Sequence, residues 1–260
     1  MDLKAWARAE LPAFLLALQF LTRLRLPVEV DYAPAAMRDS PRWYPAVGVV
    51  VGILTGVLYW ASAGLFTPVL AALIAVAAGV ILTGALHEDG FADACDGLGG
   101  TQPRERVLEI MRDSRIGTYG VLGLGLMIAG KVATLSALPV GAVPFVLIAG
   151  HTASRMSMLW VMASSDYVRD QGAGSGVSGG VDQPTMVTAL VVTGLALVPV
   201  LFVVPVMALL MGLAGLAAGH FAMRRRFEAR LGGYTGDCLG AVQQCSEIGF
   251  YLGVLAWVHP

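Results

Sequence analysis

The stretch Pro45-Ala46-Val47-Gly48-Val49-Val50-Val51-Gly52-Ile53-Leu54-Thr55-Gly56-Val57-Leu58-Tyr59-Trp60-Ala61-Ser62-Ala63-Gly64-Leu65-Phe66 carries no charged side chain from end to end. A helix crosses the hydrocarbon layer of a bilayer in about 20 mostly apolar residues, and this stretch has that length. Six further windows come close to it: 68 to 87, 118 to 138, 142 to 163, 185 to 204, 205 to 223 and 238 to 258. A shorter apolar stretch, 11 to 26, ends in arginines and reads as an eighth span, a re-entrant segment or an interfacial helix. The sequence therefore predicts an all-α, polytopic integral membrane bundle of roughly seven transmembrane helices preceded by an N-terminal apolar helix.

Composition agrees: 57% of the residues are hydrophobic and only 13% charged, against about 25% charged in an ordinary soluble domain. With 17 cations against 18 anions there is no basic excess for a nucleic-acid partner. Cys95, Cys238 and Cys245 have neither disulfide-framework nor metal-ligand spacing and are expected to be reduced thiols. Arg23 and Arg25 directly follow the apolar stretch Leu11 to Leu21 with no small-residue cleavage site, so that stretch reads as retained rather than as a secretory signal.

The charges are informative by position. Arginines fall in the connections 27 to 44, 88 to 117, 164 to 184 and 224 to 237. The opposite turns, around Thr67-Pro68, Pro139 to Pro144 and Val203 to Pro205, have no charge. The positive-inside rule places the charged connections in the cytoplasm. The expectation is one transmembrane domain, 1–260, with cytoplasm-facing loops 88–117, 164–184 and 224–237, where any soluble chemistry would take place. The run Gly172 to Gly180 reads as a flexible linker or a lid.

Within the first of these loops lies Leu86-His87-Glu88-Asp89-Gly90-Phe91-Ala92-Asp93-Ala94-Cys95-Asp96-Gly97-Leu98-Gly99-Gly100. Asp89, Asp93 and Asp96 are spaced to stack on one face of a helix. Like charges so placed repel unless a cation neutralises them. Mg²⁺ suits best, because it takes one or two protein carboxylates and completes its shell with water and substrate phosphate. A solvated acidic helix end is the bland alternative. Asp237, behind Gly232, Gly233 and Gly236 at the start of the last window, reads either as a helix cap or as a further metal ligand.

Arg112 and Arg115, just before the third window, have the fork geometry that binds phosphate oxygens in pairs, so acids and arginines together suggest a diphosphate substrate. Plain membrane anchoring is the competing reading, and Asp113 is either a further ligand or their ion-pair partner. Lys131, Arg155 and Glu247 fall inside predicted spans and must face a protein interior or a watered cavity. For Arg155 a substrate-phosphate role stands beside that of a buried structural pair.

Several blocks together resemble the cobalamin synthase family, also called adenosylcobinamide-GDP ribazoletransferase. They are Phe20-Leu21-Thr22-Arg23, Tyr44-Pro45-Ala46-Val47-Gly48, His87 to Gly97, Ile110 to Gly120 and Gly233 to Gln244, in order along nearly the whole chain. The resemblance implies a Mg²⁺-dependent membrane transferase of late cobalamin biosynthesis. It would join adenosylcobinamide-GDP to α-ribazole or its 5′-phosphate and release GMP. It would hold Mg²⁺ on Asp89, Asp93, Asp96 and Asp237 and the diphosphate on Arg112, Arg115 and Arg155. A CDP-alcohol phosphotransferase is a chemical neighbour, but its D-x2-D-G-x2-A-R pattern with a following G-x3-D-x3-D is missing here, because Asp89-Gly90 is followed by Ala92-Asp93 and no arginine. A transporter would keep its acids near the bilayer midplane, whereas these lie at the edge of a window.

Overall fold

The computed structural model describes residues 3–25, 34–169 and 181–258. They form α1 (Leu3–Leu21), α2 (Pro34–Asp39), α3 (Tyr44–Ala63), α4 (Pro68–Thr83), α5 (Leu86–Gly99), α6 (Arg104–Ile110), α7 (Thr118–Ala137), α8 (Val143–Ser164), α9 (Gln183–Leu197), α10 (Val206–Leu231) and α11 (Gly236–Val258), with short 3₁₀ turns at Ser40–Trp43 and Pro199–Phe202. Among the described residues there is no strand; Tyr167 and Tyr234 make one isolated bridge. The run Gly172 to Gly180 lies outside the described residues.

Each predicted window corresponds to a helix, with two instructive differences. The window 68 to 87 is not one helix. α4 starts on a Thr67 cap and Pro68 and stops at Thr83, because Gly84 (φ 67°) and Ala85 (φ 61°) both adopt the left-handed conformation. Two such residues cannot continue a right-handed hydrogen-bond ladder, and α5 leaves at 91° to α4. The other difference is α10, which runs on past the apolar window through Arg224, Arg225 and Arg226 to Leu231, so most of the expected loop 224–237 is helix. Gly232 (φ 71°) ends it, its N–H bonding to the Glu228 carbonyl.

Among the described residues four segments are long and apolar enough to cross a membrane: Ala36–Ala63, Thr118–Ala137, Gln183–Phe202 and Val206–Leu231; the bent pair α4 and α5 makes a fifth if taken as one. We take α4 as crossing and α5, with its acids, as lying across the end of the bundle outside the spans. α8 and α11 are long enough to cross but more polar. Their burial explains this: from Val143 to Met162 nearly every α8 side chain is buried, and α11 buries most of its length. Central helices shielded by others need not be apolar toward lipid. The outer surface is apolar, with Leu126, Ile81 and Phe202 at least 74% exposed. The described apolar part of α1, Glu10–Leu21, is shorter than a span. It packs on the start of α3 through Phe20 and Tyr44, while Glu10 holds Arg42 and the Trp43 indole.

Small residues set the helix seams, as is usual where lipid offers no hydrophobic drive between helices. Gly48, Gly52 and Gly56 line α3 where it meets α8, and a Cβ on Gly52 would stand 2.5 Å from the Ile148 Cα. Gly215 and Gly219 on α10 likewise meet the backbone of Gly249 and Cys245 on α11. Gly52→Leu should separate α3 from α8 and cost about 1–3 kcal/mol, the usual range for overpacking, lowering the thermal unfolding midpoint in detergent. Gly125→Ala, where an added Cβ meets nothing within 4 Å, should leave it unchanged; equal losses from both would remove the seam from the account.

Candidate functional site

The acids occupy the end of the bundle where the charged connections converge. Arg230 donates to the Gly100 and Gln102 carbonyls, Arg226 to Leu98 and Arg104 to Leu231. These bonds tie the α5–α6 connection to the end of α10. Val168 and Tyr234 join by backbone hydrogen bonds, bringing the segment after α8 beside the start of α11.

α5 crosses the first turns of α11 at very short range. A Cβ on Gly90 would lie 2.9 Å from the Asp237 Cα, and one on Gly240 would lie 3.0 Å from the His87 carbonyl oxygen. These two glycines let the backbones touch and thereby bring Asp237 to Asp89 and Asp93. Asp93 is half-buried. Burial first, and then the carboxylates of Asp237 and Asp89, push its pKa up to about 7, with Arg169 pulling the other way.

Arg169 is the cation the structure adds to the site. Its guanidinium pairs with Asp237 at 2.7 Å and donates to the Met111 carbonyl. The Arg169 Nε and the Asp237 Oδ2 are both buried without a properly aligned hydrogen bond, so this contact is electrostatic and leaves the carboxylate oxygen with capacity to spare. From sequence Arg169 was only one more loop charge; nothing in Asp166-Tyr167-Val168-Arg169 marks it.

Asp96 does different work from the other two acids of its helix. Its oxygens accept the N–H groups of Gly117 (2.7 Å) and Gly120 (2.8 Å), so it caps the first turn of α7 from a distance. A Cβ on either glycine would collide with the carboxylate. The even spacing on α5 is real, but the helix N-terminus, with its free N–H groups and positive dipole end, takes the third carboxylate.

The arginines also divide. Arg112 is exposed and close enough to Tyr167 to act on it electrostatically. Arg115 is exposed and chelated by Asp113, with contacts of 2.6 and 3.0 Å that hold the Asp113 carboxyl down at about 2. Of the two readings of Asp113, the structure gives the ion-pair partner. Arg155 is only 1% exposed and does not reach the acids. It donates to the His151 carbonyl and lines a cavity of about 20 Å³, room for roughly one water molecule. Around that cavity Lys131 pairs with Glu247 at 2.7 Å, Tyr251 and Gln243 also donate to Glu247, and Gln244 bridges Gln243 to Glu88 on α5. The intramembrane charges are thus a buried structural network, braced against the underside of α5. Arg155, expected to bind phosphate, is buried in this network with one nitrogen on the helix carbonyl and its Nε without a partner.

Among the described residues no three His, Cys, Asp or Glu side chains converge closely enough to hold a metal ion unaided. The set Asp89, Asp93 and Asp237 fits an ion that draws the rest of its shell from phosphate and water: Asp237 and Asp89 raise the proton affinity of Asp93, and one oxygen of Asp237 lacks a hydrogen bond. A pH dependence of the metal-free protein follows. Between about pH 4 and 7 the native state holds a proton on Asp93 that the unfolded chain, at 3.8, has lost, so stability should fall as pH rises through that window and then level off. Thermal unfolding in chelator from roughly pH 5 to 8 checks this. Asp93→Asn should flatten the decline, and an unchanged slope in that variant would assign it to another group.

The family profile described as cobalamin-5-phosphate synthase matches residues 13–255. A protein of Polaromonas sp. named adenosylcobinamide-GDP ribazoletransferase is 37% identical, over 93% of this chain and 95% of its own length. Proteins of the same name from Shewanella amazonensis (38%; 95% and 96%) and Leptothrix cholodnii (39%; 94% and 95%) match to a similar extent. No solved structure matches the chain. Since the match runs through α5, the segment before α7 and the start of α11, it takes in every element that builds the acid site, and the chain belongs to the cobalamin-5-phosphate synthase family.

Proposed function

We propose that the chain joins adenosylcobinamide-GDP to α-ribazole or its 5′-phosphate and releases GMP, acting as one catalytic domain in a bacterial inner membrane with its charged end toward the cytoplasm. The family and the shared name of full-length bacterial relatives support the reaction. The observation that carries the chemistry is the meeting of Asp89, Asp93 and Asp237, with Arg169 alongside, where apolar helices end. A transporter would need such acids deep in the bundle. Here the deep charges, Lys131 and Glu247, satisfy each other.

In the reaction an acceptor hydroxyl attacks the phosphorus bonded to cobinamide. A new P–O bond forms, the bond to the GMP phosphate breaks, and the hydroxyl proton passes to a base. Such transfers depend on charge neutralisation and alignment. Asp89, Asp93 and Asp237 would hold Mg²⁺, which neutralises diphosphate charge when bound. Arg112 and Arg115 bind the non-bridging oxygens from the exposed side, and Arg169, paired with Asp237, lies behind the acids. Asp96 positions the start of α7, which follows directly on Arg112 and Arg115, and Arg155 supports α5 from within.

Purified protein in detergent, given adenosylcobinamide-GDP and α-ribazole 5′-phosphate, should release GMP with Mg²⁺ and none with chelator. Asp93→Ala should lower release by at least about 100-fold while the protein still folds, with an unfolding midpoint no lower than that of the wild type. Full turnover in chelator, or in that variant, would take the carboxylates out of the mechanism.

A further inference from the structure

Beside the acids lies a chamber of about 120 Å³ bordered by Asp89 and Asp237. Its walls carry two aromatic pairs. Phe20 and Tyr44 stack at 6.3 Å, and Tyr167 meets Tyr234 edge-on at 5.4 Å. These rings come from α1, α3, the segment after α8 and the turn before α11. Parts of the chain far apart in sequence therefore converge on one small space. Nothing in the roles assigned to the acids and arginines requires aromatic walls. His87 borders both this chamber and the smaller cavity around Arg155; it is 2% exposed and its Nε2 is buried without a hydrogen-bond partner. An unsatisfied buried ring nitrogen costs stability unless something supplies a partner.

We propose that this chamber seats the aromatic base of the acceptor nucleoside, an inference that rests on the reaction proposed above. A planar nitrogen heterocycle stacks on aromatic side chains, and a ring nitrogen of the base supplies the partner that His87 Nε2 lacks. The sugar then projects toward Asp89 and Asp237, which puts its hydroxyl where the diphosphate is held. The chamber is too small for a corrinoid. Guanine, like the adenine of the adenosyl group, carries a polar edge of several donors and acceptors. Among aromatic walls and one histidine, with the carboxylates engaged in holding the ion, most of that edge would go unpaired. A fused azole, polar only at its ring nitrogens, leaves no such debt.

Two variants outside the acid and arginine set test this. Leu86→Trp narrows the chamber from a partly exposed position, and Tyr167→Ala removes a stacking wall. Each should raise the KM for α-ribazole 5′-phosphate roughly tenfold, with kcat and the KM for adenosylcobinamide-GDP little changed. Equilibrium dialysis of α-ribazole against the wild type without donor should show binding that both variants weaken and that GMP does not displace. A rise in the donor KM instead, or displacement by GMP, would assign the chamber to guanine and overturn the proposal. Unchanged acceptor KM and binding in both variants would overturn it too. If the wild type binds α-ribazole but yields no GMP, the reaction assignment fails and the chamber's ligand stands.

Discussion

Carboxylates crowded onto one short helix and its neighbour repel one another, and the way each is relieved organises this end of the molecule. Asp96 is satisfied by the N–H groups that open α7. Glu88 turns inward to Gln244. Asp237 leans on Arg169 without the alignment of a hydrogen bond. Asp93 is left half-buried between Asp237 and Asp89, and its proton affinity rises accordingly. The unrelieved charge is therefore confined to three neighbouring groups. The Mg²⁺ proposed above would relieve all three together.

Holding that charge in place requires a rigid support, and the support is polar. Glu247 receives Lys131, Gln243 and Tyr251, and the chain of amides continues through Gln244 to Glu88 on α5. Such a network costs desolvation and carries little net stability of its own. Its contribution is to fix how α5 sits on α7 and α11. It also accounts for the polarity of α8 and α11, which would be unfavourable at the bundle's outer surface and is tolerable only at the centre.

Much of this was legible in the sequence, because membrane spans and positive-inside bias are local, additive signals. The windows over α3, α7 and α9 needed only length and hydropathy. The corner at Gly84-Ala85 was not legible, since Ala85 seldom adopts positive φ and nothing local announces it. Arg155 was visible as a charge within a span, yet sequence alone does not say which interior surface it meets. Asp96 is the most instructive residue: its spacing from Asp89 and Asp93 is periodic, but its partners are the backbone of Gly117 and Gly120, on another helix. Backbone donors carry no sequence signature. Arg169 escaped notice for the matching reason, since its importance comes from the fold of the segment after α8 onto Tyr234.

A transferase of this kind has to favour one hydroxyl over the water that surrounds its charged end. Carboxylates able to assist an acceptor hydroxyl can assist water as readily, so selectivity must come from what occupies the space beside them. In this molecule that space is walled by Tyr44, Tyr167, Tyr234 and Phe20 and bordered by Asp89 and Asp237. Filling it with the acceptor's base removes water at the place where an attacking oxygen would have to stand. The same crossing of Gly90 on α11 that gathers the acids also sets the chamber's rim, so ion binding and acceptor selection share one backbone contact. A side chain at position 90 would therefore disturb both functions together.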